Sequence, residues 1–471
     1  MPADRPEPRT TWAFAAAAAA GVALSLSVAT ADPVRNARWA LLARLAAWAV
    51  VWAAGVVCAL RLPRRVAVPA VFAVAVALRL SALAGPPVLS DDLYRYAWDG
   101  RVQVSGVDPY RHPPTSPELA HLREEWLWPD AEGCGRIQRP EGCTRINRPG
   151  VRTIYPPVAE AWFTAVYRVA GIEAHHKAWQ AAGFLTDVAL VALLPAVLRA
   201  WGRDERWTAL YALSPVPVVE VVNNGHVDGL AALCVALALL AVARRRPVWA
   251  GVLLGAATLV KLYPVVLGVA VVTVLRRRVA AQVVAAAAVC ALAYLPHVAA
   301  VGIRVLGYLP GYLREERYDE GGRYLLVGLL GLRPEITAFL AAGGVGAVAV
   351  WLVRRRPPLP TAGAALLGAL LLAVTPVQPW YALTLLAVAT VAGAPAWSAV
   401  ALAGYPYFFA VILDSPHAAA VGRVSYGLAL VAVALGSRFY TRPSTRRGSD
   451  AVPEAVGGRG DLGDGAHRVR G

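Results

Sequence analysis

The sequence predicts an all-α fold, a polytopic transmembrane helix bundle, and three observations carry that prediction. Hydrophobic residues fill 58% of the 471 positions and charged residues only 16%, which is too apolar for a chain of soluble domains. Runs rich in Ala, Val and Leu recur along the chain at lengths that cross about 30 Å of hydrocarbon. Almost all the basic charge is arginine, and it gathers at the ends of those runs. A net charge of +16 spread over a polar face would suit nucleic acid. Gathered at span ends, it follows the positive-inside pattern, so the expected partner is the bilayer and no nucleic acid.

Spans are expected near 12–31, 38–60, 66–85, 178–199, 207–223, 228–243, 279–299, 335–353, 360–377, 380–395, 397–413 and 418–436. The first, TWAFAAAAAAGVALSLSVATA, ends in an Ala-x-Ala pattern (Ala29, Ala31) and reads as a signal sequence or as an uncleaved helix. The many later spans favour the helix. Arginines cluster at Arg61, Arg64 and Arg65, at Arg199, Arg203 and Arg206, at 244–246, 276–278 and 354–356, and again from Arg438 to Arg447. With all of these in the cytoplasm, both termini are inside. Residues 1–65 then supply N-terminal helices, 66–436 one transmembrane domain with a long polar loop at 86–177, and 437–471 a disordered cytoplasmic tail.

The stretch 247–274 has arginine triplets at both ends, so both ends should lie on the same side. About 28 residues at 1.5 Å rise make two short helices folded as a hairpin. The break falls at Lys261-Leu262-Tyr263-Pro264, with Lys261 at the apex, giving about 12 to 14 membrane helices in all. On this topology the polar segments 86–177, 223–229, 303–333, 375–381 and 413–417 all share the outward end.

Candidate functional residues lie in those segments. LSDDLYRYAWDGRVQVSG reads as a helix starting near Ser90, a reasonable N-cap, and ending at Gly106, which sets Asp91 above Arg95 and Trp98, with Asp92 rotated by about 100°. A carboxylate, a cation and an aromatic plane on one face suggest a site. Acids in a first turn that complement the helix dipole, and an i,i+4 pair, describe the same residues structurally. NNGHVDG places Asn223, Asn224, His226 and Asp228 at a span's outer end, either as an interfacial turn or as a pocket wall. The chain has only two lysines, Lys177 and Lys261. Lys261 lies too far from either arginine triplet to snorkel inward and needs an anion, a phosphate or a carboxylate such as Asp91 or Asp228.

The loop YLPGYLREERYDEGGRY carries Arg314, Arg317, Tyr318 and Arg323, and QPWY carries Gln378, Trp380 and Tyr381 at the membrane boundary. Each has an ordinary reading, as a solvated surface and an aromatic belt. Three of the five cysteines lie within apolar spans, and Cys134 and Cys143 share a polar loop where a disulfide forms if that loop is in an oxidising compartment. No histidine stands near them at metal-ligand spacing, so no metal is expected. GRIQRP and TRINRP form a small near-repeat with no assigned role. The segment VAEAWFTAVYRVAGIEAHHK is amphipathic enough to lie in the interface.

Together, SDDLYRYAWDGRVQVSGVDPYRHPP, TIYPPVAE, NNGHVDGLAALCVALALLA, GVLLGAATLVKLYPVV and QPWY resemble the GT-C superfamily of integral-membrane glycosyltransferases. The nearest resemblance is to bacterial polyprenol-phosphate-mannose-dependent mannosyltransferases of the family 87 kind, over about residues 66 to 436. It implies transfer of a hexose, most often mannose, from a polyprenyl-phosphate sugar to a lipid or glycan acceptor with inversion, at the extracytoplasmic face of the plasma membrane. It implies that Asp91 or Asp92 is the general base, with Asp91, the first of the pair, preferred. Lys261, Arg95, Arg314, Arg317 and Arg323 are then candidates for the donor phosphate. Asn224, His226, Asp228, Tyr318, Gln378, Trp380 and Tyr381 are candidates for the sugar and acceptor. No cofactor is expected beyond the lipid-linked donor, because there is no glycine-rich phosphate loop and protein cations suffice for a monophosphate leaving group. A lipid transporter or flippase, and an envelope-assembly protein without catalysis, are the competing readings.

Overall fold

The computed structural model describes residues 7–32, 34–275 and 279–440. The triplet 276–278 and the tail beyond 440 lie outside the described residues. The helices are α1 Pro8–Ala29, α2 Val34–Arg61, α3 Arg64–Ala82, α4 Asp92–Val104, α5 Ala131–Arg136, α6 Pro157–Ala170, α7 His175–Ala200, α8 Thr208–Ala212, α9 Pro215–Pro217, α10 Asp228–Ala243, α11 Pro247–Val260, α12 Leu267–Leu275, α13 Val279–Val301, α14 Leu309–Glu315, α15 Pro334–Arg355, α16 Leu359–Val374, α17 Leu383–Ala392, α18 Ser398–Ile412 and α19 Ala418–Tyr440. Among the described residues, 8 helices are long and apolar enough to cross a membrane, and shorter apolar helices, α10, α11 and α16 among them, complete the bundle. The fold is an all-α polytopic bundle.

Close approaches fix which ends of the helices lie together. A Cβ on Gly85 would lie 1.8 Å from the Ala29 carbonyl oxygen, so the end of α1 meets the end of α3. Lys177, at the start of α7, donates to the carbonyls of Leu83 and Gly85 at that same end. At the opposite end, Arg64 and Arg199 both pair with Glu205. The long loop 86–177, the turn 223–229, the segment 303–333 and the turn 375–381 all gather at the first end. The first helix is part of the bundle: Ser25 donates to the Leu78 carbonyl, and Phe14 and Val28 are buried.

The reversal at 261–266 is present. α11 stops at Val260, Lys261 takes an extended conformation, and a 3-10 turn spans Tyr263–Val266 before α12. Pro264 lacks the N–H that would continue α11. A Cβ on Gly251 would lie 2.2 Å from the Gln282 carbonyl oxygen, so α13 starts beside the foot of α11 and the chain has returned to the end it left.

The expected span 207–223 is not one helix. It is broken into α8, α9 and a π turn over Val218–Asn223, because Pro215 and Pro217 remove two backbone donors. The Ser214 hydroxyl caps α9 by accepting from Val216 N. The carbonyl freed at Ala212 is taken by Arg79 Nη1 at 2.8 Å. Arg79 in turn pairs with Asp187 at 2.7 Å, and Tyr211 donates to the same carboxylate at 2.6 Å. A polar break inside hydrocarbon is thereby closed by other helices.

Candidate active site

α4 begins at Asp92, one residue beyond the start that a Ser90 cap would set, with the Ser90 hydroxyl accepting from the amide of Asp92. That shift separates the two acids. Asp91 precedes the helix, is half exposed, and pairs with Arg139 at 2.7 Å. Asp92 is the first helical residue and faces inward, where its Oδ1 accepts from Asn147 Nδ2 at 2.5 Å and its Oδ2 from the Tyr155 hydroxyl at 3.4 Å. The expected Asp91–Arg95 pair does not form. Arg95 instead grips Asp99, Nε to Oδ1 at 2.9 Å, and donates through Nη1 to the Val151 carbonyl.

Asp92 opens onto a cavity of about 470 Å³. Its polar wall is formed by Asp92, Arg95, Asn147, Arg148, Arg152, Tyr155 and Lys261, with Gln378, Trp380, Tyr381, Tyr312 and Tyr318 opposite. Leu262, Val265, Leu309, Leu313, Leu370, Leu371 and Val374 make an apolar flank. Lys261 binds Asp228 at 3.2 Å, and its ammonium lies 5.0 Å from the Tyr381 ring and 5.5 Å from that of Tyr155. Behind the wall, His226 stacks on Trp380 with ring centroids 4.0 Å apart. Three of the five segments expected to face outward thus line the cavity, 86–177, 303–333 and 375–381; the turn 223–229 backs its wall through His226 and Asp228, and 413–417 does not line it.

Other candidates are placed differently from the expectation. Arg314 is exposed and away from the cavity, and Arg317 pairs with Glu320 at the surface. Arg323 is held by Glu316 at 2.6 Å and by the Tyr407 hydroxyl, and Glu316 also accepts from Gln378 Nε2, so this arginine positions the QPWY turn. The short charged segment folds on itself because its acids and bases alternate within reach of one another. Asn224 is fully buried, with its Oδ1 accepting from the amides of Val88 and Leu89 and its Nδ2 donating to Glu220. It anchors the strand of chain leading into α4 and does not line the cavity.

Arg148 is the main cavity residue that sequence reasoning missed. It pairs with Glu315 through Nε at 2.8 Å, joining the first long loop to α14 across the cavity. The near-repeat was the available signal: the matching arginines of its two copies, Arg139 and Arg148, each find a carboxylate, Asp91 and Glu315. The Arg148 guanidinium holds the Glu315 carboxyl below its usual range. A disulfide links Cys134 to Cys143 and ties down the segment that carries Arg139.

Beneath Arg95 lies a buried acid pair. Glu160 of α6 accepts from Thr153 Oγ1 at 2.6 Å and from Gln103 Nε2 at 2.8 Å. Burial, reinforced by the nearby charge of Asp99, pushes Glu160 well above the usual carboxyl range, and burial also raises Asp99. Arg95 stands between these acids and the cavity, and its buried Nη2 has no hydrogen-bond partner. Among the described residues, no group of three or more His, Cys, Asp or Glu is arranged to hold a metal ion.

Fold and site define a class: a multi-span membrane protein with a carboxylate facing a cation-lined, partly apolar cavity at one end of its bundle. Residues 154–376, a little under half of the chain, match the family model described as Glycosyltransferase family 87, which indicates a membrane glycosyltransferase. The match includes Glu160, His226, Asp228 and Lys261 and stops short of Asp92 and Arg148 on one side and the QPWY turn on the other. No curated protein and no solved structure matches the chain.

Proposed function

We propose that the chain transfers a hexose, with mannose the expected sugar, from a polyprenyl-phosphate donor to a lipid or glycan acceptor of the cell envelope, with inversion, at the extracytoplasmic face of the plasma membrane. The observation that carries this reading is one carboxylate, Asp92, sharing a cavity with Lys261, Arg95 and Arg148 and with an apolar flank. The cavity's size is that of an ordinary small-molecule site. Leu262, Val265 and Leu313 are 41%, 60% and 43% exposed, which leaves apolar surface for the isoprenoid chain beside the cations that would meet its phosphate.

In the proposed reaction Asp92 takes the proton of the acceptor hydroxyl as that oxygen attacks the anomeric carbon. The bond from that carbon to the phosphate oxygen breaks, and its electron pair leaves with the polyprenyl phosphate. Lys261, Arg148 and the free Nη2 of Arg95 stabilise the charge growing there. Trp380 and Tyr381 offer ring faces to the sugar, and Gln378 a polar edge. On this reading Asp92 takes the role that the sequence gave first to Asp91, whose carboxylate is outside the cavity on Arg139. The extracytoplasmic assignment is supported by the arginine-rich connections at the opposite end and by the Cys134–Cys143 bond, which suits an oxidising compartment.

The test is incubation of the purified protein with polyprenyl-phosphate mannose and an envelope lipid extract, followed by mass spectrometry. A product heavier by one hexose supports the proposal. Transfer only from glucose or arabinose donors corrects the sugar. Movement of labelled donor across sealed vesicles with no new glycosidic bond would replace transfer by transport.

A further inference from the structure

Glu220, in the π turn between α9 and α10, is fully buried and accepts from the Tyr405 hydroxyl at 2.8 Å and from Asn224 Nδ2 at 3.1 Å. Its carboxylate also lies 3.2 Å from His226 Nδ1, and its own backbone carbonyl oxygen 3.0 Å from the same nitrogen. Two acceptors at Nδ1 require that this nitrogen carry the proton. In the neutral ring the lone pair is therefore on Nε2. That atom is buried and has no hydrogen-bond partner, and it stands 3.8 Å from Asp92 Oδ2. While Asp92 is ionised, two acceptors face each other with no proton between them. Once Asp92 is protonated, closing the gap by about 1 Å makes an ordinary O–H···N hydrogen bond.

We infer that His226, held in one tautomer by Glu220, receives from Asp92 the proton that Asp92 takes from the acceptor hydroxyl, so that the three residues act as a relay. This rests on the reading of Asp92 as the base. The acceptor O–H bond breaks, its electron pair enters the new glycosidic bond, and the proton moves to Asp92 Oδ2 and on to Nε2. The resulting imidazolium lies against Glu220 and under the Trp380 ring, both of which favour its charge. After the products leave, the proton returns through Asp92 to water in the cavity. The groups facing the ring are Asp92 and Tyr96 from α4, Glu220 from the π turn, and Asp228 at the start of α10 with Lys261 as its counter-ion. Glu220 touches no substrate and is a positioning residue.

The experiment compares transfer by wild type, Glu220→Gln, His226→Gln, the double variant and Asp92→Asn across pH. The relay predicts that Glu220→Gln lowers kcat by about tenfold or more with KM nearly unchanged, and moves the acid limb of the kcat profile to lower pH. His226→Gln lowers kcat by at least as much and leaves an acid limb set by Asp92 alone, and adding Glu220→Gln to it costs nothing further and moves nothing, because the two act as a unit. An inactive Asp92→Asn with a wild-type rate and acid limb in Glu220→Gln, or with losses that multiply in the double variant, overturns the relay and leaves the base in place. A fully active Asp92→Asn overturns the base itself. Should Glu220→Gln fail to fold, His226→Gln decides alone: a lower kcat with a displaced acid limb supports the relay, and an unchanged rate and profile overturn it.

Discussion

Replacing Lys261 with methionine removes the ammonium and keeps the length of the side chain, and the structure separates the two costs. Lys261 is the cation paired to Asp228, whose side chain is fully buried. Removing one partner of a buried pair destabilises by about 3–5 kcal/mol, because the remaining carboxylate is left in a site that cannot hydrate it. Loss of a charge-assisted contact to the donor phosphate costs about 1.5–3 kcal/mol of transition-state stabilisation, a factor of about 10 to 150 in kcat/KM. Lys261→Met is therefore expected to lower both the thermal midpoint in detergent and transfer. Adding Asp228→Asn removes the stranded charge, so the double variant should regain most of the midpoint and none of the transfer. Melting curves and initial rates on the same preparations check this. A double variant that recovers activity along with stability would refute the role of Lys261 at the phosphate and leave it a structural counter-ion.

Two further outcomes follow from the site. The folded pair Asp99 and Glu160 holds a proton that the unfolded chain releases above the ordinary glutamate value of 4.5. The folded state thus binds more protons, and its stability falls as pH rises from there through the raised folded value. Glu160→Gln should flatten that fall in melts taken from about pH 4.5 upward, and an unchanged slope would contradict the raised carboxyl. Arg148→Ala breaks a half-exposed pair, so stability should change by less than about 1 kcal/mol, while the KM for donor rises about tenfold. Arg139→Ala, the matching change in the other copy of the near-repeat, should leave KM where it was, and equal effects in the two variants would contradict the placement of Arg148.

The architecture was legible because its signal is chemical and periodic. Apolar runs with arginine at alternate ends set the direction of every span, and a lone lysine between two arginine triplets marked the reversal that the structure places at Lys261. What the sequence hid is what depends on one residue of register or on long-range pairing. Asp91 and Asp92 are adjacent, and which faces inward depends on α4 starting at Asp92, a shift set by the Ser90 hydroxyl. Arg148 and Glu315 are far apart in sequence, and the near-repeat that singles out Arg148 does not say which carboxylate it meets or that it lines the cavity. Glu220 sits in an apolar run whose two prolines were the clue to a broken helix, and the break is what turns its carboxylate toward His226. Arg314 and Arg317 illustrate the opposite error: a dense run of arginines looked like a site, but Arg317 pairs with Glu320 in its own segment and Arg314 stays exposed.

The central claim is that Asp92, and not its neighbour, takes the acceptor's proton. It is tested most directly by measuring hexose transfer from a polyprenyl-phosphate donor with Asp92→Asn and Asp91→Asn side by side at equal folded protein. The account predicts a loss of about 10²- to 10⁴-fold in kcat for Asp92→Asn and near wild-type turnover for Asp91→Asn. Retained activity in Asp92→Asn, or a loss confined to Asp91→Asn, would contradict it.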